Sequence, residues 1–153
     1  MRLTMRKLLP LLALIAVGGA TTAGAQLRMP GSRQQPQAPV LSGIDALRAD
    51  FLARTGSNTI YFGPNSPLLS APAKAVLGAQ AAWLRRQPNV VVQVEGYGDS
   101  NDSRDHSLAM GARRAQEARD YLILMGVPAA QISTTSWGKA RPGAGRAVTI
   151  LVR

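Results

Sequence analysis

Apolar and polar positions fall into two rhythms along the second two-thirds of this chain. From Ser70 onward, Ala73, Val76, Leu77, Ala81 and Leu84 recur at spacings of three and four, which predicts a helix over residues 70–86. Ser70 supplies its N-cap, Pro72 sits in its first turn and Pro88 stops it. A second such stripe, Leu108, Ala112, Ala115, Ala118, Leu122 and Met125, predicts a long helix from about Arg104 to Met125, closed by Gly126-Val127-Pro128. Residues 90–94 are all valine except Gln93, the signature of a central strand covered on at least one face. Residues 132–137 and 147–152 read as two further strands. Upstream, Ser42 caps a short helix ending at Ala49, with Ile44 and Leu47 on one face. Residues 51–55 and 59–62 read as short strands flanking Gly56-Ser57-Asn58, a hairpin signal. The order implies an α+β fold: a mixed β-sheet of about four strands with two long helices packed on one face. Where helix-bearing crossovers join parallel strands they run right-handed.

The first 39 residues follow other rules. Arg2, Arg6 and Lys7 precede an apolar run over residues 8–17, and Ala23-Gly24-Ala25 follows, so residues 1–25 read as a cleaved signal peptide. The apolar run is too short for a comfortable span, which takes roughly 20 residues, so no integral membrane span is expected after cleavage. Residues 26–39 (QLRMPGSRQQPQAP) have little to bury and read as a flexible linker. One compact domain is expected over residues 40–153, without internal repeats. The chain has no cysteine, which excludes disulfides, thiolate metal sites and a thiol nucleophile, and gives no residue for a lipoprotein anchor. Its formal charge is +10; without the three leader cations, fifteen basic residues stand against eight acidic ones, a net of +7. Such a surface favours polyanions, and export makes nucleic acid the least expected of them, leaving anionic lipid or an acidic wall polymer.

Chemistry concentrates in residues 91–122, where a strand runs into a polar loop and then a helix. Asp99 on the loop and Arg114 on the helix are an acid and a base that one zwitterionic ligand could meet together, the carboxylate taking an ammonium and the guanidinium a carboxylate. Arg113 points about 100° away and is the solvent-facing member of the Arg-Arg pair. Asp102 and Asp105 suit the positive end of the helix, and Asp102 could compete for Arg114. His106, the only histidine, has no second His or Cys beside it, so a surface role is expected over a metal or catalytic one. Trp83 and Trp137 are expected in packing roles. Gly96, Gly98 and Gly111 lack the spacing of a phosphate-binding fingerprint. No cofactor, metal site or catalytic residue is expected.

Residues 50–153 resemble the OmpA-like C-terminal domain, the periplasmic module shared by OmpA, the Pal lipoprotein and the MotB stator protein. The resemblance is carried by Thr59-Ile60-Tyr61-Phe62, Leu69-Ser70-Ala71-Pro72-Ala73, Val94-Glu95-Gly96 with Asp99, and Leu108-Ala109-Met110-Gly111-Ala112-Arg113-Arg114-Ala115. Tyr121-Leu122, Gly126-Val127-Pro128, Ile132-Ser133 and Ser136-Trp137-Gly138-Lys139 continue it in the same order. It implies a non-catalytic periplasmic domain that binds peptidoglycan of the diaminopimelate type and associates with the outer membrane through the cell wall. It also implies that Asp99 and Arg114 hold the ammonium and carboxylate of diaminopimelate, with backbone N–H groups near Ser103 and Ser107 as further anion donors.

Several positions depart from the family pattern. Gly63 replaces an aspartate, Tyr97 a histidine, Asp102 a glycine and Ser107 an asparagine. Only Gly143-Ala144-Gly145 separates Pro142 from Arg146, where the family has a long loop and a closing Asn-Arg-Arg. These departures support an alternative, a protein-interaction module of the cell envelope with the same fold and a degenerate peptidoglycan site. A third possibility is adhesion to anionic surfaces by charge alone.

Overall fold

The computed structural model describes residues 42–153; the expected leader (residues 1–25), the expected linker (residues 26–39) and the first two residues of the expected domain lie outside the described residues. The elements are α1 (Gly43–Thr55), β1 (Thr59–Tyr61), α2 (Ala71–Leu84), β2 (Val92–Tyr97), α3 (Arg104–Leu124), a single 3₁₀ turn (Ala129–Gln131), β3 (Ile132–Gly138) and β4 (Arg146–Leu151). The four strands form one mixed sheet in the order β1-β4-β2-β3. β4 runs antiparallel to both β1 and β2, and β2 is parallel to β3, the two joined through α3. This is the α+β architecture the sequence implies, with one helix longer than expected.

That difference lies in α1. The helix does not stop at Ala49, and residues 51–55 are its last turns rather than a strand. Ile44, Leu47 and Phe51 fall on one helical face, and Phe51 is buried edge-on against the Trp83 ring, 5.1 Å between centroids. The helix ends at Gly56, whose left-handed backbone (φ 74°) and N–H donated to the Leu52 carbonyl make it a C-cap. Tertiary burial of Phe51 thus overrides the local strand preference of Phe-Leu-Ala-Arg-Thr.

Side chains of β2 alternate as a strand's must: Val92, Val94 and Gly96 face the helices, while Gln93, Glu95 and Tyr97 face away. Leu77, Ala81 and Leu84 of α2 and Ala115, Ala118 and Leu122 of α3 complete the core. Each fully buried leucine contributes about 1.5–3 kcal/mol relative to exposure. The buried stripe of α3 is Ser107, Met110, Gly111, Arg114, Ala115, Ala118 and Leu122. Leu108 and Ala112, expected on that stripe, are exposed, as is Met125 just past the helix, because the stripe is rotated toward Gly111 and Arg114. Glycines permit the rotation: a Cβ on Gly96 would stand 1.9 Å from the Gly111 carbonyl oxygen, and one on Gly98 would stand 2.2 Å from that of Ser107. Helix α3 therefore lies directly on the backbone of β2. That contact brings Arg114 under the end of the strand.

Candidate functional site

Asp99 sits on the loop between β2 and α3, and Arg114 three turns into α3. Ser103 caps that helix by accepting from the His106 N–H, which fixes the direction in which α3 leaves the loop. Ser107 is fully buried one turn later and donates its hydroxyl to the Asp99 carbonyl at 2.7 Å. Both serines thus shape the loop that carries Asp99.

The Arg114 side chain is fully buried and uses all five of its N–H groups. Nη1 donates to Asp99 Oδ1 (3.0 Å) and to the Tyr97 carbonyl (2.8 Å). Nη2 donates to Asp99 Oδ2 (3.2 Å) and to the Gly63 carbonyl (3.0 Å), and Nε to the Ser66 carbonyl (3.0 Å). The Phe62 ring covers the guanidinium, 5.5 Å from its carbon. A buried guanidinium is tolerable only when paired and fully hydrogen-bonded, and this one is both. The expected acid–base pair therefore exists as a closed fork, with no N–H of Arg114 left over for a ligand.

Asp99 is the accessible half of the pair, its side chain 22% exposed. The Arg114 hydrogen bonds hold its carboxyl below the ordinary carboxylate value, against a smaller opposing effect of burial, and the Asn65 N–H adds to them (2.7 Å to Oδ2). Oδ2 thus accepts two hydrogen bonds and Oδ1 one, which leaves an acceptor position on Oδ1. Asp99 is fixed, ionised and partly open, so it can take a ligand's ammonium.

The remaining expected residues have other partners. Asp102 does not reach Arg114; it lies 3.6 Å from His106 Nε2. That histidine, half exposed, is 2.9 Å from Asn65 Oδ1 and so ties the loop after β1 to the start of α3. No hydroxyl bonds its ring among the described residues, and no cluster of three metal-ligating side chains occurs there. Arg113 is exposed. Trp83 is buried, whereas Trp137 is half-buried beneath the Arg141 guanidinium, 3.4 Å above its ring. Tyr97 is buried on the helix-free face and donates to Glu95 Oε2 at 3.0 Å; burial, then the Glu95 carboxylate, pushes its phenol up from the ordinary value.

Sequence reading missed the segment over residues 63–66. It covers Arg114 with two carbonyls and Asp99 with an amide, contacts made by backbone atoms that carry no side-chain signature. The nearest hint was Gly63-Pro64-Asn65-Ser66 itself, a turn sequence that ends β1.

A family model for OmpA matches residues 61–149, from β1 through most of β4. The chain belongs to the OmpA family. This OmpA-family chain is 38% identical over 128 residues to a peptidoglycan-associated lipoprotein of Agrobacterium fabrum, covering 84% of the chain and 60% of that protein. It is 40% identical over 93 residues to a peptidoglycan-associated lipoprotein of Mesorhizobium japonicum, covering 61% and 55%. The chain thus spans somewhat over half the length of these relatives. Among solved structures, the peptidoglycan-associated lipoprotein of Burkholderia pseudomallei superposes with a TM-score of 0.61 at 27% identity, covering 63% of this chain and 92% of that one. The C-terminal domain of Helicobacter pylori MotB shares the fold, with a TM-score of 0.57 at 19% identity over 62% of this chain and 84% of that one. Among the described residues no helix is long and apolar enough to cross a membrane.

Proposed function

We propose that this OmpA-family domain is a non-catalytic peptidoglycan-binding module of the cell envelope. It works in the periplasm and associates with the outer membrane through the cell wall. Residues 1–25 are its export signal, residues 26–39 a linker and residues 40–153 the binding domain. Its ligand is the peptide stem of the wall polymer, and within the stem the diaminopimelate residue. The observation that carries this reading is the Asp99 carboxylate, fixed by Arg114 and Asn65 at the mouth of the β2–α3 loop with one acceptor position free. Asp99 takes the ammonium, while Arg114, Ser107 and Ser103 hold it in place. The peptidoglycan-associated names of the relatives support the same choice of polymer.

One observation favours a second reading. Every N–H of Arg114 is satisfied within the chain, as expected of an envelope protein-interaction module that keeps the pair for structure alone. Retention on purified diaminopimelate-type sacculi separates the two. The proposed function expects wild type to sediment with sacculi and Asp99→Asn, checked for folding, to stay in solution. Equal behaviour of the two proteins would remove the wall-binding reading and leave the interaction module, whose partner periplasmic cross-linking would then capture.

A further inference from the structure

A zwitterionic ligand whose ammonium rests on Asp99 needs a cation for its carboxylate, and Arg114 has no donor to give. The structure offers another set of cations on the far side of Asp99. The two residues flanking it, Gly98 and Ser100, form one wall of a cleft of about 300 Å³ whose other wall is the turn between β3 and β4, including Lys139, Arg141 and Gly143. A Cβ on Gly145 would stand 3.7 Å from Asp99 Oδ1, so the oxygen with the free acceptor position is the one that faces this turn.

The cleft is electropositive by construction. Lys139 is exposed, and its ammonium makes one hydrogen bond, to the Asp102 carbonyl, leaving two of its three N–H groups. The guanidinium of Arg141 sits over the Trp137 ring and reaches only one carboxylate among the described residues, Glu95, at 3.9 Å. Beneath the turn, Arg146 packs so closely that a Cβ on Gly143 would be 2.2 Å from its guanidinium carbon; its Nη2 holds the Pro142 carbonyl, and its buried Nε has no partner among the described residues. Two cations, Lys139 and Arg141, thus line the cleft and Arg146 packs against its turn, with Glu95 the one carboxylate paired to any of them among the described residues. The Gly143 and Ala144 amides donate to no acceptor among the described residues.

We propose that this cleft is the carboxylate subsite: the ligand's ammonium meets Asp99 Oδ1, its carboxylate is held by Lys139 and Arg141, and Arg114 touches no ligand atom. The proposal rests on the peptidoglycan-stem reading and divides the labour within it differently from the Asp99/Arg114 clasp. The short turn is what makes it work. With only three residues between Pro142 and Arg146, Lys139 and Arg141 are held beside the Asp99 loop.

The test is calorimetric titration of the full chain with a diaminopimelate-containing stem tripeptide, and with the same tripeptide amidated at the side-chain carboxyl of diaminopimelate. The variant K139A/R141Q is expected to bind the free-acid peptide about tenfold more weakly or worse, the usual scale for losing charge-assisted hydrogen bonds. Wild type should discriminate against the amidated peptide by a similar factor, and K139A/R141Q should not discriminate. Because Arg141 packs on Trp137, K139A alone, on an exposed side chain, serves as the variant whose folding is not in question, with a smaller loss expected. R86A/R113A removes the same charge elsewhere and is expected to change nothing. Undiminished binding by K139A/R141Q, or an equal loss in R86A/R113A, overturns the subsite. If Asp99→Asn abolishes binding while the cleft variants retain it, the subsite alone fails; if wild type binds neither peptide nor sacculi, the parent reading fails with it.

Discussion

Arg114 grips both carboxylate oxygens of Asp99, at 3.0 and 3.2 Å, from a side chain with no exposed surface. Breaking such a buried pair from the cationic side costs about 3–5 kcal/mol, because the carboxylate and the carbonyls of Gly63, Ser66 and Tyr97 lose their donor together. Arg114→Met is therefore expected to destabilise the domain by that amount in urea unfolding. Loss of wall binding in that variant would follow from unfolding; Asp99→Asn likewise leaves the buried guanidinium without its counter-charge, so its sacculus test is read on protein shown to be folded by circular dichroism.

Acid should weaken the domain through the same pair. The folded Asp99 carboxyl titrates below its unfolded value, so the unfolded chain binds more protons in that window and stability falls as pH falls. The contribution is fully present above the ordinary carboxylate value of about 4 and is lost below it as pH drops through the depressed folded value. Asp45 and Asp50 are shifted in the same direction, Asp45 first by Ser42 and Asp50 first by Trp83. Unfolding midpoints measured from pH 7 down to pH 2 should therefore decline, with a shallower decline in Asp99→Asn. An unchanged acid limb in that variant would mean the pair contributes nothing to pH dependence.

Two glycine substitutions should move stability in opposite directions. Gly98→Ala puts a methyl 2.2 Å from a backbone carbonyl of α3, and overpacking of this kind costs about 1–3 kcal/mol or more. Gly78→Ala places its methyl in open space within α2 and is expected to stabilise by about 0.5–1 kcal/mol. Thermal unfolding of both variants checks the pair.

The indole N–H of Trp83 donates to Asp50 Oδ2 at 2.7 Å, joining α2 to α1. Asp50 is partly exposed, so solvent screens the bond. A double-mutant cycle over Trp83→Phe and Asp50→Asn should show a favourable coupling between the two residues. A coupling near zero would mean α1 is held by Phe51 packing alone.

The two long helices and the strands were legible because apolar periodicity and flanking Ser, Pro and Gly residues all pointed the same way at Ser70, Pro88 and Gly126. The end of α1 was not, since Phe51 reads as strand locally and only its contact with Trp83, 32 residues on in the sequence, keeps it helical. Asp99 and Arg114 were legible as candidate residues, expected to meet a ligand between them; the structure instead pairs them directly with each other. Their state was not legible: saturation of the guanidinium depends on carbonyls of residues 63, 66 and 97, and every residue has a carbonyl. The exposed Leu108 shows the same limit, because the close approach at Gly96 and Gly98 turns α3 by an amount that spacing does not encode.

The acceptors of Arg114 lie 15, 17, 48 and 51 positions before it in the chain. No fragment shorter than the run from Gly63 to Arg114 can assemble that shell. Until those distant segments have met, Asp99 is an ordinary aspartate on an unstructured loop. On the wall-binding reading proposed above, an unfolded copy has no such clasp to offer, and attachment would itself certify that folding is finished.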